Sequence, residues 1–173
     1  NNDNFIEDKN GLDFILNHIN ILCNHQKEVT DFVLDFFAHM FQRPSEKPGK
    51  FILFISKQGT GKGLLCELLT NMLGNNKVLD TIRPENDVWG NFNAPMISAY
   101  LVNFEELNFL STKGNEGALK NFITQPKMNI VKKGKDQIEI KSYHRFIGSC
   151  NPEDSDIPIK TVKGDRRTLI IRC

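Results

Sequence analysis

One stretch limits what this chain can fold into more than any other: Phe51-Ile-Leu-Phe-Ile55, followed at once by Ser56-Lys-Gln-Gly-Thr-Gly-Lys-Gly63. Five apolar residues in a row suit a strand buried on both faces, the kind found in parallel sheets. Behind the glycines, Leu65, Leu68, Leu69 and Met72 recur at helical spacing, and Gly74 stands where a helix end favours glycine. Strand, glycine-rich loop, lysine and helix make the layout of a phosphate-binding loop. Gly59, Gly61 and Gly63 let backbone N–H groups approach phosphate oxygens closely, and the helix N-terminus adds partial positive charge. Lys62 adds a compact cation at the β/γ-phosphates. The pattern departs from G-x-x-x-x-G-K-[ST] twice, with Ser56 at the first glycine and Gly63 at the final hydroxyl residue. That hydroxyl normally holds Mg²⁺. A glycine-rich turn with an incidental lysine is the plainer reading, and the flanking strand and helix weigh against it.

A length of 173 residues suits one domain with a real core. No apolar run approaches a membrane span, and no signal-peptide pattern opens the chain. The chain begins at Asn1, and Leu169-Ile-Ile-Arg-Cys173 reads as a strand cut short, so a domain excised from something longer is expected. Cys23, Cys66, Cys150 and Cys173 form no CxxC pair, which predicts reduced thiols and an intracellular setting. His18, Cys23 and His25 lack a fourth ligand at metal-site spacing and read as helix-end packing. The net charge is only +1, so nucleic-acid contact must rest on local charge.

In chain order, Leu12, Ile15, Leu16, Ile19, Leu22 and Cys23 predict an amphipathic helix after an Asn10-Gly11 break. A second helix is predicted from about Lys27, with Val29, Phe32, Val33, Phe36, Phe37, Met40 and Phe41 as a core stripe. Arg43 to Lys50 is a proline-punctuated connector. These divide the chain into a helical lead-in over 1–45 and an α/β core over 46–173. Lys77 to Ile82 predicts a short strand, and Asp87 to Pro95, with Trp89, an irregular stretch. Ala99 to Phe104 is a buried-type strand that runs into Glu105 and Glu106. Beside a phosphate loop, such a pair can hold Mg²⁺ and activate water; elsewhere it is an ordinary surface pair. Gly114 to Thr124 predicts a helix with Ala118, Leu119, Phe122 and Ile123 on its apolar face. Alternation on both sides of Gly134 predicts a hairpin. From Lys127 to Arg145 the segment carries six positive and two negative side chains, Arg145 included, an excess of +4. Its lysines suit either a solvated edge or a finger laid on a phosphate backbone. Arg145 to Asn151 is a third core-type strand, whose terminal amide suits holding a water; Arg166 and Arg167 precede a fourth.

Phosphate loop, acidic strand end, basic hairpin, Asn-ended strand and Arg-Arg before a strand, in that order, resemble superfamily 3 helicases. The likeness is greatest to the helicase part of viral and phage primase-helicases, several of which look similar in carrying Gly-Lys-Gly at the loop. The resemblance implies an AAA+-like P-loop sandwich with N-terminal helices and a DNA-binding hairpin. It implies an ATP-hydrolysing motor for viral or phage DNA replication, assembled as a ring, commonly hexameric, on single-stranded or forked DNA. A primase domain linked beyond the segment, and a location in host cytoplasm, nucleus or virus factory, follow from the same likeness. By it, Gly59, Thr60, Gly61, Lys62, Gly63 and Leu64 bind ATP. Glu105 supports Mg²⁺, Glu106 is the catalytic base and Asn151 senses the γ-phosphate. Arg167, with Arg166 as second choice, is the finger in a neighbour's site, and Lys132, Lys133, Lys135 and Lys120 contact DNA. The competing class is a nucleotide- and DNA-binding assembly module with little hydrolysis, because Gly63 lacks the magnesium hydroxyl. A small-molecule kinase leaves the basic hairpin unexplained.

Overall fold

The computed structural model describes residues 8–108, 112, 114–151, 158–159 and 164–173. Helix α1 spans Lys9–Leu22 and α2 spans Lys27–Gln42. The expected break at Asn10-Gly11 is absent, because Asp8 caps the helix one turn earlier, its side chain accepting from the Gly11 N–H at 3.0 Å. Ile19, Leu22 and Cys23, at the end of α1, are buried, whereas Leu12 and Leu16, predicted on the same stripe, are exposed. From Ile15 onward α1 reaches the core.

The predicted strand is β1, Phe51–Ile55, buried throughout. Helix α3, Lys62–Leu73, follows and ends at Gly74 with φ at 91°, where glycine is needed. Leu65 and Leu69 face the core; Met72, expected beside them, is exposed, and Cys66 and Leu73 pack there in its place. Next come β2 (Val78–Thr81), a single-turn α4 (Pro84–Asp87) and β3 (Leu101–Phe104). Helix α5 spans Glu116–Thr124, starting two residues later than expected. Then follow β4 (Lys127–Ile130), β5 (Ile138–Lys141), β6 (Arg145–Cys150) and β7 (Thr168–Arg172).

Five strands form one parallel sheet in the order β2-β3-β6-β1-β7. Strand alternation sends side chains to two cores. Phe51, Leu53, Val102, Phe104 and Phe146 point to one, shared with Leu119 and Ile123 of α5 and with Met128 and Ile130 of β4. Ile52, Phe54, Leu101, Ile147 and Ile171 point to the other, shared with α1, α2 and α3. The sheet is therefore covered on both faces. Strands β4 and β5 pair antiparallel as the predicted hairpin, with Gly134 in its turn at φ 71°.

Arg145 corrects the charge count of that hairpin. It is fully buried, and Nη1 donates to the carbonyls of Tyr143 (2.6 Å) and Pro44 (3.3 Å), while Nη2 donates to those of Arg43 (2.8 Å) and Glu46 (2.7 Å). Its guanidinium also lies 4.4 Å from the centre of the Tyr100 ring. The charge locks the proline connector onto the sheet and is withheld from any surface. Lys47 and His144 lie beside it. Lys47 donates to Ser142 Oγ, Ser142 Oγ lies 2.9 Å from His144 Nδ1, and His144 Nε2 lies 2.7 Å from the Met96 carbonyl. Burial, with Arg145 nearby, draws the Lys47 ammonium down to about 8 and the His144 imidazole down to about 4.

Candidate functional site

Because β1, β3 and β6 are parallel neighbours, the segments leaving their C-terminal ends emerge at one edge of the sheet, where open α/β sheets collect ligands. A cavity of about 450 Å³ opens there. It is lined by the whole predicted loop, Gly59, Thr60, Gly61, Lys62, Gly63 and Leu64, together with Glu105, Glu106 and Asn151. Residues up to 97 positions apart in sequence thus meet around one space, Phe54 with Asn151 being the extreme pair.

Gly59 and Gly61 hold φ at 80° and 92°, values that glycine alone adopts without strain. Gly63 does not: it lies inside α3 with ordinary φ, and a Cβ there meets nothing within 4 Å. A side chain at position 63 would therefore meet no protein atom, and the glycine there offers no oxygen. The Lys62 ammonium donates to the carbonyls of Ser56 (2.8 Å) and Lys57 (3.2 Å) and to Ser56 Oγ, folded against its own loop. Ser56, at the motif's missing first glycine, also lies 2.6 Å from Thr60 Oγ1, so its hydroxyl braces the loop from within.

Glu106 follows β3 at φ 48°, a left-handed backbone rarely tolerated by a glutamate. Its N–H is aimed at Ser149 Oγ, 3.4 Å away on β6. Strain of this kind persists where surrounding structure over-determines it, often at functional sites. The Glu105 carboxyl sits above the usual carboxylate range through burial, then through the negative neighbours Asp80 and Glu106. Excess negative charge on hard oxygen donors suits a hard divalent cation such as Mg²⁺, so the residues present fit that ion although position 63 offers it nothing. Asn103 lines the same cavity and donates to Asp80 Oδ1 at 2.9 Å, and Cys66 lies there too, its thiol pushed up to about 12 chiefly by burial. Neither stands out in the sequence, because both read as core positions.

Two groups of predicted residues lie elsewhere. Arg166 and Arg167 precede β7, and Thr168 pairs with Phe51 at the start of β1, so they sit at the opposite edge of the sheet from the loop. Arg167 is held there: Nε lies 3.2 Å from Asp165 Oδ1, and its N–H donates to the same oxygen at 2.9 Å. These bonds, backbone first, hold the Asp165 carboxyl below the usual range, and Lys120 on α5 adds to the effect. Arg166 is exposed. Lys120 thus belongs with the arginine edge. Lys133 and Lys135 are exposed at the hairpin turn and Lys132 is half-exposed; Lys132 and Lys135 line one groove with Phe92. Lys127, counted with them, pairs with Glu139 at 2.6 Å.

The three N-terminal residues His18, Cys23 and His25 are engaged in packing and hydrogen bonds at the end of α1. Cys23 is buried, His25 Nδ1 accepts from Asn20 Nδ2 at 3.0 Å, and His18 lies against the Gly61 carbonyl. Among the described residues no three His, Cys, Asp or Glu side chains converge to hold a metal, and no helix is long and apolar enough to cross a membrane.

A DNA primase-polymerase of Nitratiruptor phage NrS-1 is 27% identical over 155 residues, which cover 88% of this chain and 21% of the phage protein. The chain therefore spans about a fifth of that relative's length. Solved structures of the NrS-1 C-terminal region superpose with a TM-score of 0.77 at 26% identity, covering 91% of this chain and 37% of theirs. JCV helicase shares the fold at 16% identity with a TM-score of 0.57, over 98% of this chain and 46% of its own. The likeness to a phage primase-polymerase thus stands in both sequence and structure, and the likeness to a viral helicase is one of fold. Residues 54–167, well over half of the chain, match a family described as of unknown function (DUF5906), and the chain belongs to that family.

Proposed function

We propose that this chain is the ATP-hydrolysing motor of a DNA helicase serving viral or phage replication, AAA+-like in fold and active as a ring on single-stranded or forked DNA. The observation that carries this reading is the single cavity joining the Gly59–Leu64 loop, Glu105, Glu106 and Asn151. Loop N–H groups and Lys62 bind the phosphates, with Lys62 exchanging its loop carbonyls for phosphate oxygens. Glu106 orients the attacking water and takes its proton, and Asn151 holds that water against the γ-phosphate. Glu105, with water, would hold Mg²⁺, which when bound neutralises charge developing on the phosphates.

The two arginines support a ring. One strand length, about 15 Å, separates them from the loop of their own chain, too far to reach its phosphates. Their target is then a neighbouring copy's nucleotide. Arg166, exposed, is better placed for this than Arg167, which Asp165 holds. Lys132, Lys133 and Lys135 at the hairpin turn contact the DNA backbone. The name of the NrS-1 relative, and the fifth of it that this chain spans, support a primase domain on the same polypeptide.

Nucleotide binding and turnover measured side by side test the roles. Lys62→Ala should weaken ATP binding, whereas Glu106→Gln should bind ATP and fail to hydrolyse it. Wild-type hydrolysis in Glu106→Gln would remove the catalytic-base assignment. Binding without hydrolysis in the wild type, at concentrations where rings form, would favour the assembly-module reading.

A further inference from the structure

We infer that His18, from the N-terminal helix and outside the family-matched segment, is a positioning residue of the phosphate loop. His18 Nε2 lies 3.0 Å from the Gly61 carbonyl, 43 residues away in sequence. A carbonyl only accepts, so Nε2 carries the proton and donates. The consequence lies in one peptide plane. The Gly61 C=O and the Lys62 N–H belong to the same trans amide and point in opposite directions. By holding the carbonyl toward α1, His18 turns the Lys62 N–H the other way, the direction that the proposed site needs for a phosphate. The helix itself takes little of this carbonyl, since the Leu65 N–H reaches it only at 3.4 Å.

Two further observations bear on the contact. A Cβ built on Gly61 would lie 2.3 Å from His18 Cε1 and 3.0 Å from Nε2, so the glycine is required for the imidazole as well as for its φ of 92°. His18 is also fixed from its other side, with the Phe14 ring one turn earlier lying 7° from parallel at a centroid distance of 6.4 Å. The N-terminal helix thereby becomes part of the nucleotide site, from outside the α/β core.

This inference rests on the nucleotide-site reading above, and its test separates the two. In the ligand-free full chain, hydrogen exchange is measured at the loop amides between Gln58 and Gly63, and ATP affinity is measured in parallel. His18→Ala should speed exchange at these amides and weaken ATP binding about three- to tenfold, the effect of removing one hydrogen bond. His18→Gln, whose Nε2 can still donate, should restore both toward wild type. Leu12→Ala, on an exposed part of the same helix, should change neither. Unaltered loop exchange in His18→Ala overturns the inference, whatever ATP does, and so does failure of the glutamine to rescue a fully folded protein. A wild type that binds no ATP, with the exchange pattern as expected, instead overturns the nucleotide reading while leaving His18 as the residue that sets the loop.

Discussion

Replacing Glu106 by glycine should stabilise the fold while removing its activity. Its φ of 48° lies in the left-handed region, where an L-residue is strained by about 1–2 kcal/mol and glycine is not. Against that stands the unfolded-state entropy of glycine, which at an ordinary position makes alanine better by about 0.5–1 kcal/mol. The strain term is the larger, so Glu106→Gly should exceed Glu106→Ala in stability by about 0.5–1 kcal/mol, reversing the usual order. Relief of repulsion with Glu105 is common to both variants and cancels in the comparison; for exposed groups it is at most about 0.5 kcal/mol. For a chain of this size, about 1 kcal/mol moves Tm by about 2–4 °C. Urea and thermal unfolding of the nucleotide-free protein, followed by circular dichroism, resolve such a gap. Both variants should lose ATP turnover. If alanine is as stable as glycine at 106, the backbone there is unstrained and the reasoning fails.

Acid should weaken the fold through His144. Its neutral imidazole is buried with a folded value of about 4 against the usual 6.5, so the unfolded chain takes up the proton first and stability falls as pH drops from 6.5 to about 4. The slope should approach about 1.4 kcal/mol per pH unit in that window and flatten in His144→Gln; equal slopes in the two proteins would refute this. On DNA, changing Lys132, Lys133 and Lys135 together to alanine should weaken single-strand binding and reduce its salt slope by about 0.7 for each phosphate no longer neutralised. An unchanged slope would return these lysines to a solvated edge.

What the sequence made legible was local pattern. Five apolar residues in a row marked β1, the glycines marked the loop, and alternation about Gly134 marked the hairpin, because each signal lies within a few neighbours. The cavity was legible only through its separate parts, since the parallel order of β3, β6 and β1 is what places Glu105, Glu106 and Asn151 beside the loop. Charge counting misread Arg145, because most of its acceptors are carbonyls about a hundred residues earlier in the chain and composition cannot distinguish a buried cation from a solvated one. His18 was hidden for the same reason, its partner lying 43 residues away. No residue-type signal marks a glutamate with positive φ, so the strain at Glu106 was beyond any pattern. Met72 was assigned to the buried stripe of α3, but that stripe runs through Leu65, Leu69 and Leu73, one residue further along, and leaves Met72 exposed.

The central claim is that nucleotide turnover here is a DNA-coupled activity of assembled copies. It is tested most directly by ATP hydrolysis measured across protein concentration, with and without single-stranded DNA. Specific activity should rise with concentration and with DNA and vanish in Glu106→Gln. It should be partly restored when an Arg166→Ala,Arg167→Ala chain is mixed with a Lys62→Ala chain. Turnover that is indifferent to DNA and to concentration, and shows no rescue in the mixture, would contradict it.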